Sequence, residues 1–278
     1  MKTPEQLKGA IRNMAAKKKL RPQEVLQMFL FERVLERLAV SPYRNNFILK
    51  GGLLISSMIG IDEAPPLTWI PRSGNPHGGT GNHIYYSEIL SSDVDDGIDF
   101  VFRKIEPIRE DDTYRNFRVH IDARYGRINS PMKIDITTGD EITPAAIQYN
   151  YPFLFEDKTV PVMAYTLETI LAEKYETIIR RNIGTTRARD FYDLHMLYRE
   201  RETEIRADIL RLAVAHTAKK RGSARALADW EEIIQDIREE PALASLWHNY
   251  AADNPYIGKL QFSETVNTVE RIGRLLQE

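Results

Sequence analysis

The segment Phe47-Ile48-Leu49-Lys50-Gly51-Gly52-Leu53-Leu54-Ile55-Ser56-Ser57-Met58-Ile59 constrains the fold of this chain more than any other. A short apolar strand runs into two adjacent glycines and continues as a helix start. Such a turn leaves backbone N–H groups pointing outward with no Cβ to block approach, so it can seat a phosphate. Lys50 adds positive charge at the same place. Ser56 and Ser57 admit two readings, reaching a phosphate or back-bonding within the helix. Many helices begin after a glycine, so the turn gains meaning only from the segments downstream of it.

Those segments alternate as a sheet does. Gly97-Ile98-Asp99-Phe100-Val101-Phe102, Phe117-Arg118-Val119-His120-Ile121-Asp122 and Met132-Lys133-Ile134-Asp135-Ile136 have the period of half-buried strands. Val160-Pro161-Val162-Met163-Ala164-Tyr165 is a further extended piece. Residues 4–18 and 22–38 read as helices before the sheet, the second with an apolar face of Val25, Met28, Phe29, Phe31, Val34, Leu35 and Leu38. Residues 167–181, 188–199, 202–219, 223–238 and 263–277 read as helices after it, with Pro241 and Pro255 punctuating the tail. The order predicts an α/β chain: N-terminal helices over 1–40, a mixed-sheet core over 41–165 and a C-terminal helical bundle over 166–278. The strand alternation argues against a purely helical interaction protein.

Three segments carry chemistry. Asp135 sits between Ile134 and Ile136 and so faces away from them. By pattern alone it is an outward acid on a half-buried strand. Lys133 shares its face and either touches a phosphate or neutralises the acid. Leu167-Glu168-Thr169-Ile170-Leu171-Ala172-Glu173-Lys174 places a lysine on the first helix after the sheet. Arg189-Asp190-Phe191-Tyr192-Asp193-Leu194 places two acids at i and i+3 on the next. Those acids either pin two helices together in an ion network or serve a cleft.

Together with the glycine turn, these segments resemble the AbiEii/AbiGii toxin family of nucleotidyltransferases over most of residues 40–200, in the family's motif order. The resemblance implies a nucleotidyltransferase-like core that transfers a nucleotide from NTP with Mg²⁺, in studied members onto tRNA. It implies a toxin of a type IV-like toxin–antitoxin or abortive-infection system, serving phage defence and neutralised by a cognate antitoxin. It assigns Lys50, Gly51, Gly52, Ser56 and Lys133 to nucleotide binding, Asp135 to the metal, and Lys174, Asp190 and Asp193 to catalysis.

The family also carries an Asp-x-Asp strand soon after the glycine turn, which holds the metal. Here that place reads Ala64-Pro65-Pro66-Leu67-Thr68-Trp69-Ile70-Pro71, without an acid. Residues 64–86 hold four prolines, four glycines and one charged residue, Arg72. The genetic code offers an explanation. Read from each third base, Leu67-Thr68 gives Asp, Asn, His or Tyr, Thr68-Trp69 gives Met, Leu or Val, and Trp69-Ile70 must give Asp. The shifted frame therefore allows Asp-Met-Asp, and residues 75–84 in the other shifted frame allow a charged helix start. The stretch is either a genuine Gly/Pro-rich loop or an out-of-frame copy of the metal strand. Pro65, Pro66 and Pro71 predict that the sheet loses this strand. The loss implies an alternative function, that of an inactive family member binding nucleotide or a partner.

Composition limits the rest. The chain has 278 residues, formal charge −2 and no cysteine. Disulfides and thiol nucleophiles are excluded, and no global basic field advertises a nucleic acid. The basic cluster Arg180, Arg181, Arg187 and Arg189 is open to an RNA role or to a solvated helix end. His77 and His83 lack two further ligands for zinc. No apolar run reaches membrane length and the polar N-terminus has no signal core, which predicts a cytoplasmic protein without membrane partners.

Overall fold

The computed structural model describes residues 3–60, 67–71, 82–108, 116–137 and 141–278. The chain divides into two compact units, residues 1–140 with 146–164, and residues 141–145 with 165–278. It is a mixed α/β protein, with helices before a single large sheet and a helical unit after it.

The first unit opens with α1 (Pro4–Lys18) and α2 (Pro22–Val40), each with proline in its first turn, where no N–H is required. Thr3 and Gln6 cap α1 reciprocally: the Thr3 N–H donates to Gln6 Oε1 at 2.9 Å and the Gln6 N–H to Thr3 Oγ1 at 3.3 Å. The apolar face expected for α2 is buried, from Val25 to Leu38, and so are Glu32, Arg33 and Arg37.

Then come β1 (Phe47–Lys50), α3 (Gly51–Ile59), β2 (Leu67–Pro71), α4 (Asn82–Leu90), β3 (Asp99–Pro107), β4 (Phe117–Tyr125), β5 (Ile128–Ile136), β6 (Ile147–Pro152) and β7 (Thr159–Ala164). The strands form one sheet in the order β3-β4-β5-β2-β1-β7-β6. β2 is antiparallel to β1 and parallel to β5, and β1 is parallel to β7. Val119, Ile121, Ala123, Met132, Ile134 and Ile136 bury one face of β4 and β5, while the opposite face carries Arg118, His120, Asp122, Lys133 and Asp135.

β2 corrects the expectation of a lost strand. Leu67–Pro71 lies in the middle of the sheet. Only Pro71 of the three prolines falls within it, at its last position, and Thr, Trp and Ile suit a strand. Pro65, Pro66 and His77 lie outside the described residues, as does most of the stretch 75–84 read as a charged helix start. β6 escaped the periodicity because an edge strand buries little: Tyr151 alone of its residues is fully buried.

The second unit comprises α5 (Leu167–Arg181), α6 (Ala188–Arg201), α7 (Ala207–Arg221), α8 (Ala224–Ala228), α9 (Trp230–Glu239), α10 (Pro241–Asp253) and α11 (Phe262–Leu275). Thr166 caps α5, its Oγ1 accepting the Thr169 N–H at 3.1 Å. The helix expected over 202–219 begins later, because residues 202–204 form a 3₁₀ turn. The helix expected over 223–238 is broken at Asp229. Pro241 is the first residue of α10 rather than tail punctuation, with the Glu240 side chain accepting the Ala242 N–H at 3.0 Å.

Candidate active site

Strand register assembles a polar row across the first unit. Lys50 pairs with Thr68, Thr68 with Asp135, Asp135 with Arg118, and Arg118 with Glu106. Directly paired residues lie in one row of a sheet, so five strands contribute one position each. At one end of the row the chain turns into α3. Gly51 has φ +70°, the left-handed region that favours glycine, and the Lys50 side chain makes no cap bond to the first turn of α3. Lys50 and Gly51 thus stand together at a helix start. Gly52 follows within the first turn. Ser56 is buried in α3. Ser57 back-bonds, donating to the Leu54 carbonyl at 2.7 Å, and its Oγ lies 3.0 Å from the Tyr149 hydroxyl.

Asp135 is the acid of this row beside β2, and Arg118 holds it. Arg118 Nε donates to Oδ1 at 2.7 Å and Nη2 to Oδ2 at 2.9 Å, a two-bond fork on the half-buried sheet face. The carboxylate is 16% exposed. Sequence reasoning missed Arg118: its alternation on β4 placed it on the polar face, but only the antiparallel register set it opposite Asp135. Further along the face, Glu106 meets His120 at 2.7 Å and also pairs with Lys104, and Arg103 donates to Asp122 at 2.7 Å. Lys133 is exposed, opposite His120, and lines a cleft of about 470 Å³ with Lys104, Asp122 and Gln27.

The resemblance calls for a metal here. A divalent cation of the magnesium type needs several converging oxygens. Both Asp135 oxygens are engaged by Arg118, β2 offers Leu-Thr-Trp-Ile-Pro, and no cluster of three or more His, Asp or Glu suited to a metal occurs among the described residues. The residues described do not fit the metal.

The second unit brings Lys174, Asp190 and Asp193 together. Lys174 Nζ on α5 donates to Asp190 Oδ1 at 2.6 Å and to Asp193 Oδ2 at 2.7 Å on α6. Both acids are buried, which the i, i+3 spacing permits from one helix face. Burial would lower the lysine pKa; the charges of Asp193 and Asp190 and their hydrogen bonds outweigh it and hold it above its usual value. Arg187 Nε lies 2.7 Å from Asp190 Oδ2, and Arg189 Nε lies 3.4 Å from Asp193 Oδ2. Arg180 donates to Glu176 at 2.8 Å. Three of the four arginines in the basic cluster are therefore matched by acids within their own unit, and among the described residues Arg181, also exposed, is in no such pair.

A sequence model of the AbiEii family, described as the nucleotidyl transferase AbiEii toxin of a Type IV toxin–antitoxin system, matches residues 86–268. The chain belongs to this family. Among solved structures, JHP933 from Helicobacter pylori superposes with a TM-score of 0.49 at 16% identity, over 92% of this chain and 93% of that one. A second H. pylori structure, assigned as a nucleotidyltransferase, gives 0.49 at 17% identity over 92% and 96%. No curated protein matches the chain. No helix among the described residues is long and apolar enough to cross a membrane. The family and the α/β fold together make this a nucleotidyltransferase-like toxin.

Proposed function

We propose that the chain binds nucleotide and is paired with a cognate antitoxin but does not transfer the nucleotide. The observation that carries this reading is the Arg118 fork on Asp135 beside a strand with no acid. Transfer needs a cation to neutralise the departing pyrophosphate, and one engaged carboxylate cannot hold it. Nucleotide binding is supported in the first unit by the glycine helix start at Lys50 and Gly51 and, separately, in the second unit by the family's lysine position at Lys174. The antitoxin is implied by the Type IV system to which the family belongs. Incubation with labelled NTPs, Mg²⁺ and total tRNA is the test. We expect no labelling; robust labelling that Asp135→Ala abolishes overturns the reading.

A second reading keeps the family's reaction, transfer from NTP with Mg²⁺ to tRNA, in a chain whose metal strand is out of frame. Two observations favour it. The backbone of β2 runs beside Asp135, where acids at i and i+2 would share its face. The family match begins at residue 86, where the anomalous stretch ends. Replacing residues 64–86 by the shifted-frame translation is expected to raise the thermal midpoint and to cause growth arrest when antitoxin is absent. If neither changes, and if alanine at each restored aspartate makes no difference, this reading falls.

A further inference from the structure

A carboxylate that serves a divalent cation must offer it free oxygens, and the cation must find several such oxygens at once. On this sheet the neighbours of Asp135 in register are Thr68 on one side and Arg118 on the other. The next acid of the row, Glu106, lies two strands away, roughly 10 Å at ordinary strand spacing. It is already engaged by His120 and Lys104. A cation at Asp135 would have to displace a guanidinium held by two charge-assisted hydrogen bonds, which are the stronger kind.

Among the described residues beside Asp135, two cations share its face. Arg118 is 33% exposed at its side chain, and Nη1 takes no part in the fork on Asp135. Lys133 stands two residues from Asp135 on the same face, exposed. Beside this carboxylate the described face thus offers Arg118 and Lys133 to a polyphosphate.

We propose that Arg118 takes over the charge role of the metal, so that this face binds a nucleoside triphosphate as the free polyanion, without a divalent cation. The inference rests on the nucleotide-binding reading above. It makes Arg118 a phosphate-binding residue and Asp135 the acid that restrains it. It also reverses the sign of the Asp135 effect. In a metal site, removing the acid weakens nucleotide binding; here it removes a repelling charge and releases the guanidinium.

Calorimetry of the full chain with ATP, in EDTA and in excess MgCl₂, tests this. ATP is expected to bind at least as tightly in EDTA as in Mg²⁺. Asp135→Asn is expected to tighten binding about threefold, and Arg118→Ala to weaken it about tenfold in EDTA, as the loss of one charged contact should. Arg118→Lys, which keeps the charge without the fork, is expected to lose less affinity than Arg118→Ala, and an unchanged thermal midpoint in Arg118→Ala shows that its loss is not unfolding. Paramagnetic resonance with Mn²⁺ alone is expected to detect no ion whose binding depends on Asp135. ATP binding that requires Mg²⁺ and is weakened by Asp135→Asn overturns the inference alone, as does Mn²⁺ binding that Asp135→Asn abolishes. No ATP binding in either buffer overturns the inference and the nucleotide-binding reading together.

Discussion

Arg37 and Asp96 form a bidentate pair, Nη1 to Oδ2 at 2.6 Å and Nη2 to Oδ1 at 2.7 Å, with both side chains almost fully buried. Arg37 also donates to the Ile98 carbonyl at 2.7 Å, and the Ile98 N–H donates to Asp96 at 2.9 Å. The pair ties the approach to β3 to the side of α2. Removing one partner strands a buried charge, so Asp96→Ala is expected to cost about 3–5 kcal/mol in a denaturant titration. Burial alone would raise the Asp96 carboxyl; the hydrogen bonds from Arg37 and from the Ile98 amide outweigh it and hold the pKa below its usual value. A lowered acid stabilises the fold above its unfolded pKa and loses that contribution as pH falls through the folded one. The thermal midpoint of the wild type is expected to fall below about pH 4, and that of Asp96→Asn to fall less over the same range.

Lys174 separates two roles by experiment. Lys174→Met leaves Asp190 and Asp193 buried without their shared cation and is expected to destabilise the chain by about 3 kcal/mol or more. Adding Asp190→Asn and Asp193→Asn should recover part of that loss. If the cluster also serves nucleotide, Lys174→Arg, which preserves the charge, should still weaken ATP binding in calorimetry by about tenfold, because a guanidinium cannot repeat a point contact. Unchanged affinity would assign the cluster to helix pairing alone.

Glu32 is a fully buried carboxyl on α2 whose Oε1 accepts the Leu154 N–H at 2.9 Å, while Oε2 has no hydrogen-bond partner. Burial pushes its pKa well above the usual value despite the neighbouring Arg33. For a raised acid, the stabilising contribution is present at low pH and lost as pH rises through the unfolded and folded values. Glu32→Gln keeps the Leu154 bond without the charge. It is expected to raise the thermal midpoint at neutral pH by about 2–4 °C and to have no such effect at pH 4.

Two glycines make opposite demands on the backbone. Gly51→Ala forces a side chain into φ +70° and is expected to cost about 1–2 kcal/mol while displacing the start of α3, read as weaker ATP binding. Gly273, inside α11, lies against the Trp230 ring: a Cβ there would meet Cε3 at 2.4 Å and Cζ3 at 2.5 Å. Gly273→Ala is expected to destabilise by about 1–3 kcal/mol although it improves helix propensity, because the ring must move. Thermal midpoints of the two variants check both.

Local chemistry was legible from the start. Periodicity fixes α1, α2, β4 and β5, because one buried face imposes a period on the residues that line it. The glycine turn was legible because a left-handed residue next to a helix start calls for glycine. The segments that escaped were those with weak burial or ambiguous punctuation: β6 at the sheet edge, and α10, where Pro241 opens a helix.

The sequence by itself determined the residue types, the α/β order, the family motifs and the absence of acids between Leu67 and Pro71. Each of those depends on neighbours within a few positions or on composition. The tertiary structure decided what the polar residues do to one another. It placed β2 beside Asp135 despite Pro71 at its end, set Arg118 on both Asp135 oxygens, and joined Lys174 to Asp190 and Asp193. Pairing across a sheet or between helices joins residues distant in the chain through register and packing. A charge pattern read along the chain carries neither, which is why Asp135 reads as an outward acid in one dimension and is an arginine-held carboxylate in three.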